Sequence, residues 1–149
     1  MSQKSIYLDI CAICRPFDDQ SYLRIKLETD AVNMILSKVK QGKYRLLFSP
    51  VHMKEIEAYD DILERIELQA ILKKLGERIV VDLSKTRARA EEFVTLGFGI
   101  ADAAHVAFAE ESEALFISCD YKLIKKCLKH KIKVWCGNPV AFCDLEKLR

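Results

Sequence analysis

Short apolar runs alternate along this chain with longer stretches of helical period. Ile6 to Ile10 carries β-branched and aromatic members and reads as a buried strand. Arg15-Pro16-Phe17-Asp18-Asp19 reads as a loop, with Asp18 or Asp19 as a helix cap. A long helix is predicted after it, with Leu23, Leu27, Ala31, Met34, Ile35 and Val39 on one face and Gly42 at its end. Tyr44 to Phe48 is the second strand. Ser49 and Pro50 supply an N-cap and a proline at the first helical position, opening a short helix that runs to about Tyr59. The next helix begins near Asp60-Asp61, uses Ile62, Ile66, Leu68, Ile71, Leu72 and Leu75 as its apolar positions, and stops at Gly76. Ile79 to Leu83 is the third strand, and Ser84 caps the helix after it. Leu96 to Gly99 is a turn, and Ile100 to Glu111 is an alanine-rich helix. Ala114 to Ser118 is the fourth strand, Tyr121 to His130 a basic helix, Ile132 to Trp135 a fifth strand, and Val140 to Leu148 a final helix.

This alternation implies parallel strands with helices on both faces, an α/β fold around a central sheet of about five strands. At 149 residues the chain fits one domain over 1–149. Half of it is hydrophobic, enough for a core, and 31% is charged. A net charge of +2 is too small to signal nucleic-acid binding by itself, so any such signal rests on local clustering. No apolar run approaches the ~20 residues of a membrane span, and MSQKSIYLDIC does not read as a secretory signal. The six cysteines form no paired Cys-x-x-Cys units, so they read as reduced thiols in a cytoplasmic protein. Cys11 and Cys14 do make a lone Cys-x-x-Cys after a strand, but the strand order suits an all-parallel sheet better than a thioredoxin-like one.

The chemistry concentrates in four acids. Asp9 closes the first strand, Glu55 sits on the helix after the second, Asp102 lies near the start of the alanine-rich helix, and Asp120 follows the fourth strand. In open parallel sheets the ligand site lies at the carboxyl ends of the strands. Carboxylates gathered there repel one another, so either a pKa rises or a cation neutralises them. Mg²⁺ or Mn²⁺ suits such an oxygen-rich set, and the matching chemistry is phosphodiester cleavage. Each acid also has a plainer reading: a turn or cap for Asp9 and Asp120, a solvated helix position for Glu55, a first-turn acid favoured by the helix dipole for Asp102. His105, three residues after Asp102, is within reach of an active-site acid, although packing is the commoner role for such a histidine. The basic run from Lys122 to Lys131 begins beside Asp120, and Lys122, Lys125 and Lys126 are candidates for a phosphate-binding rim. Arg15, on the loop after Asp9, is another.

Four stretches together resemble the PIN domains, which are metal-dependent nucleases that include the toxins of VapBC toxin–antitoxin pairs. YLDICAICRPFDDQ is similar to the family's opening strand and first acid, and SPVHMKEIE to its second-acid helix. GFGIADAAHVAFAEE is similar to the Gly-x-x-x-x-Asp-Ala-x-His-x-Ala stretch, and LFISCDYKLIKK to the strand followed by Ser/Thr-x-Asp. The resemblance implies a three-layer α/β/α sandwich and an Mg²⁺- or Mn²⁺-dependent ribonuclease. Asp9, Glu55, Asp102 and Asp120 match the metal-binding acids, and Ser118 the supporting hydroxyl. It further implies an RNA substrate, frequent homodimers and an antitoxin that blocks the cleft. Ile10 stands where Thr or Ser is common, and Cys14 where Asn is. These two changes favour the alternative, a catalytically silent PIN-like module that binds RNA or protein. A HAD-type or Toprim-like phosphohydrolase is a further enzyme reading, opposed by Asp9-Ile10-Cys11 where the HAD pattern has Asp-x-Asp.

Overall fold

The computed structural model describes residues 3–149. Its elements are β1 (Lys4–Leu8), α1 (Ile10–Ile13), a 3-10 turn (Arg15–Phe17), α2 (Leu23–Lys40), β2 (Tyr44–Phe48), α3 (Pro50–Glu57), α4 (Ile62–Leu75), β3 (Gly76–Arg78), α5 (Leu83–Thr95), α6 (Ile100–Glu111), β4 (Leu115–Ile117), α7 (Tyr121–Lys129), β5 (Cys136–Gly137) and α8 (Pro139–Glu146). The five strands form one sheet in the order β3-β2-β1-β4-β5. Every pairing is parallel.

Side chains alternate across a strand, so each strand feeds both faces of the sheet. Ile6, Leu8, Leu46 and Ile117 meet α1, α2, α4 and α8 on one side. Tyr7, Leu47 and Phe116 meet α5, α6 and α7 on the other. The result is the expected α/β/α sandwich. It also explains why the strands read as nearly continuous apolar runs, since both of their faces are covered. Among the described residues no helix is long and apolar enough to cross a membrane.

Several elements lie elsewhere than the sequence suggests. β3 spans Gly76–Arg78, ahead of the expected Ile79–Leu83. Only Ile79 N–H continues the ladder, to Phe48 O at 2.9 Å. Val80 is 94% exposed on this edge, and Asp82, not Ser84, caps α5 through Lys85 N–H. Gly76 begins the strand because a Cβ there would stand 2.7 Å from Leu72 O and 2.9 Å from the Phe48 ring. β5 is likewise displaced, from Ile132–Trp135 to Cys136–Gly137. Lys131 turns the chain with φ 49°, and the ladder starts only where Phe116 N–H meets Trp135 O at 2.8 Å. β1 ends at Leu8, because Asp9 caps α1 and Ile10 is already helical.

Helix α2 has no side-chain cap, and its N-cap is Tyr22. Its inner face at the N-terminal end is taken by Glu28 and Thr29, so Leu23 and Leu27 turn outward. The cause is an ion pair: Glu28 is buried against the Arg15 guanidinium at 2.8 Å, so a charged residue occupies a position that the apolar pattern assigns to leucine. Ile62 and Ile66 of α4 are also exposed, while Leu68 and Leu72 carry the packing. Gly42, with φ 84°, reverses the chain between α2 and β2 as expected.

Candidate active site

The strand order turns back on itself between β1 and β4. The chain builds β1, β2 and β3 outward in one direction, then returns to lay β4 on the other side of β1. Loops leaving the carboxyl ends of β1 and β4 therefore diverge and leave a crevice between them. Asp9 comes immediately after β1, and its N–H donates to Ile117 O of β4 at 3.1 Å. Ser118 and Asp120 come after β4. α3 and α6 cover the crevice and bring in Glu55 and Asp102. A cavity of about 400 Å³ opens there, lined by Asp9, Ile10, Cys11, Glu55, Ala58, Tyr59, Asp102, His105 and Asp120. All four acids singled out in the sequence face one space.

Each acid is held differently. Asp9 is 4% exposed. Its Oδ1 accepts from Ala12 N–H at 3.1 Å and from Cys11 Sγ at 3.0 Å, so it caps α1 and lines the cavity at once. Asp120 is the N-cap of α7, its Oδ1 accepting from Lys122 N–H at 3.0 Å and Leu123 N–H at 3.2 Å. Its own N–H donates to Ser118 Oγ at 3.0 Å, which fixes the buried serine under the site. Glu55 Oε1 is hydrogen-bonded to His105 Nε2. Asp102 sits in the first turn of α6 and accepts no hydrogen bond from the described residues.

The electrostatics arise from this crowding. Desolvation raises the Asp102 pKa above 3.8, and the charges of Asp9, Asp120 and Glu55 push it further in the same direction. Asp9 is raised mainly by desolvation, partly offset by His105, Ser118, Cys11 and the Ala12 N–H. Among the described residues no three His, Cys, Asp or Glu side chains form a ready-made metal cage. Mg²⁺ does not need one, because it takes one or two carboxylates and keeps several waters. An all-oxygen set in which three acids disfavour the charged form of the fourth, Asp102, fits a hard divalent cation.

The basic candidates stand apart from the acids. Arg15 is committed to Glu28 and to Asp18 Oδ2 at 3.0 Å, and it is not among the cavity-lining residues. Lys122 and Lys125 are exposed on α7, and Lys126 Nζ donates to Gly97 O at 2.8 Å. The two positions that depart from the resemblance are both near the cavity. Ile10 lines it directly, and Cys14 Sγ lies 2.8 Å from the hydroxyl of Tyr59, a lining residue. Burial pushes the Cys14 thiol up to about 12. From sequence, His105 reads as a packing residue first and an acid partner second. The structure gives it the contact with Glu55, at 2% exposure. Tyr7 and His52, which meet His105 in the core, carry no sequence signal beyond a polar tip in an apolar strand and a histidine three residues after an N-cap.

No family model matches the sequence, and no curated protein matches it. Solved structures do match in fold. FitAcB from Neisseria gonorrhoeae is 15% identical, with a TM-score of 0.54 over 90% of this chain and 97% of that one. FitAB bound to an IR36 DNA fragment is 16% identical, with a TM-score of 0.55 over 91% of this chain and 95% of that one. PAE2754 from Pyrobaculum aerophilum is 16% identical, with a TM-score of 0.54 over 97% of this chain and 88% of that one. The three-layer architecture is therefore PIN-like.

Proposed function

We propose that this chain, as one nuclease domain over 1–149, is an Mg²⁺- or Mn²⁺-dependent ribonuclease that hydrolyses RNA phosphodiester bonds. The observation that carries the reading is the convergence of Asp9, Glu55, Asp102 and Asp120 on one cavity at the β1/β4 crevice. Capping accounts for Asp9 and Asp120 singly, but not for the gathering of four carboxylates on one cavity, three of which add to the cost of charging Asp102. Neutralising them together calls for a cation. When bound, the divalent ion supplies Lewis acidity, lowering the pKa of the attacking water and neutralising charge on the phosphate.

The chain's own residues supply the geometry. Asp9 and Asp120 are held by the helix N-termini they cap, so each presents its carboxylate in a fixed direction. Asp102, free of hydrogen bonds from the described residues, is the acid most available to the cation. Glu55 is steadied by His105. Ser118 secures Asp120 from below. Lys122, Lys125 and Lys126 lie on the helix that Asp120 opens and would meet the RNA backbone.

The fold shared with FitAcB and FitAB supports placing the chain as the toxin of a VapBC-type pair, with an antitoxin entering the cleft and a homodimer as the working form. A second reading, a catalytically silent RNA- or protein-binding module in the same fold, is favoured by Ile10, whose apolar side chain lines the cavity beside Asp9. Incubating a labelled RNA pool with Mn²⁺ separates the two. Metal-dependent cutting by the wild type that is lost in Asp9→Asn and Asp102→Asn supports the nuclease. No cutting across varied metals and RNAs supports the silent module.

A further inference from the structure

Glu55 differs from the other acids in how it is held. Asp9 and Asp120 are short and locked by the backbone they cap. Glu55 stands in the last turn of α3 with a longer side chain, more rotamer freedom to lose and, among the described residues, no backbone donor of its own. Its partner is instead the start of a buried chain. His105 Nε2 meets Glu55 Oε1, and His105 Nδ1 meets the Tyr7 hydroxyl. That hydroxyl lies 2.8 Å from Ser49 Oγ, which accepts from Val51 N–H at 3.2 Å. Tyr7, Ser49 and His105 are all buried.

Counting protons assigns a direction to this chain. Ser49 Oγ already accepts from the backbone, so its proton goes to the Tyr7 oxygen. Burial holds the Tyr7 phenol protonated, far from its ordinary ionisation, so its single proton goes to His105 Nδ1. His105 then carries its proton on Nε2, facing a carboxylate that can only accept. The opposite direction would leave the Ser49 proton without an acceptor. His52 does not compete for these groups. Its Nδ1 accepts from Ser49 N–H at 3.0 Å and its Nε2–H donates to Leu8 O at 2.6 Å, and burial beside His105 holds its pKa down to about 3.

We propose that Ser49, Tyr7 and His105 form a one-way donor relay that fixes the Glu55 carboxylate in the acidic cavity, with His105 as its positioning residue. The relay joins β1, the cap of α3 and α6, so the strand that delivers Asp9 and the helix that delivers Asp102 jointly set Glu55. Its purpose, though not its existence, rests on the nuclease reading.

Two measurements test it. The first is ¹⁵N-histidine NMR of the metal-free wild type. A neutral Nε2–H tautomer at His105, with a proton that exchanges slowly and is exposed by Glu55→Ala, is expected. An Nδ1–H tautomer, or a proton indifferent to Glu55→Ala, overturns the relay without requiring any relay variant to fold. The second is Mn²⁺-dependent cleavage by His105→Ala and His105→Gln. Alanine should lower kcat roughly 10- to 100-fold with KM for RNA little changed, the range for partners that orient metal ligands. Glutamine, whose amide can reach the Nε2 position, should recover most of that loss. Equal impairment by both, or none by alanine, overturns the positioning role. A wild type that cuts no RNA overturns the nuclease reading alone, and the NMR result then decides the relay.

Discussion

Helix α6 delivers both Asp102 and His105, and its far end is anchored by an ion pair whose loss can be sized. The Glu110 side chain is 2% exposed. It accepts Arg89 Nε on Oε1 at 2.7 Å and Arg89 Nη2 on Oε2 at 3.2 Å, with Lys133 N–H adding 2.8 Å to Oε2. An acid in the last turn of a helix is also opposed by the helix dipole, so the guanidinium offsets two penalties. Replacing Arg89 with methionine keeps an unbranched stem against Phe93, over which the guanidinium now sits at 4.3 Å. It removes the two charge-assisted bonds to Glu110, of roughly 1.5–3 kcal/mol each, and an exposed pair with Glu92 that contributes little, and leaves a buried carboxylate with one donor. Arg89 is partly exposed and Lys133 N–H remains, so the lower end applies, about 3 kcal/mol.

For a chain of this length 1 kcal/mol moves Tm by roughly 2–4 °C, so Arg89→Met should melt about 6–12 °C below wild type. Adding Glu110→Gln removes the stranded charge while keeping an acceptor for Lys133 N–H, and should recover more than half of the loss. Thermal melts monitored by circular dichroism, checked against urea midpoints, measure both. A drop of less than about 2 °C in the single variant, or a double variant no better than the single, refutes the argument that the pair anchors α6.

The site itself yields further expected outcomes. Because the folded-state pKa of Asp102 is raised, the metal-free fold loses stability as pH climbs from about 4 through that raised value. Asp102→Asn should therefore melt higher than wild type near pH 7, with the gap closing toward pH 4, and equal melting at both pH values would contradict the cost of charging Asp102 by desolvation and neighbouring acids. Lys122→Ala with Lys125→Ala should flatten the dependence of log K on log salt for single-stranded RNA by about 1.4, at ~0.7 for each phosphate contact. An unchanged slope removes those lysines from the interface. Asp9→Asn should keep the α1 cap while Asp9→Ala loses about 1 kcal/mol relative to it, yet both should stop cleavage. A denaturation series beside the RNA assay separates cap from charge.

What the sequence disclosed depended on the range of the interaction involved. β1 and β2 were legible because their central residues, covered on both faces, are apolar, Asp9 and Asp120 because each follows a buried strand, and Glu55 and Asp102 through the motif-like stretches that hold them. β3 and β5 were misplaced because short edge strands need little apolar character. β3 is Gly-Glu-Arg, and the attractive runs beside each edge strand, Ile79-Val80-Val81 and Ile132 to Trp135, serve mainly as connections. The inner face of α2 was misread because Glu28 is buried against Arg15, thirteen positions earlier, with Arg24 one turn before it on the same carboxylate, and no apolar periodicity reports the Arg15 pair. The partner of Glu55 was similarly hidden. His105 lies fifty residues away in sequence and becomes its neighbour only when α6 packs beside α3.

The same distinction explains why the site tolerates its own repulsion. Asp9 and Asp120 are N-caps, and the capping bonds that start α1 and α7 also aim their carboxylates. At Asp9 those bonds favour the charged form, opposing the effect of burial. The start of α1 thus returns part of what burial takes away there. Asp102 has no such bond from the described residues and Glu55 has only the relay, so these two acids depend most on what fills the cavity. Ligand binding should consequently be felt first on α3 and α6, the two helices that close the crevice, and least on β1 and β4, whose acids are already held by backbone.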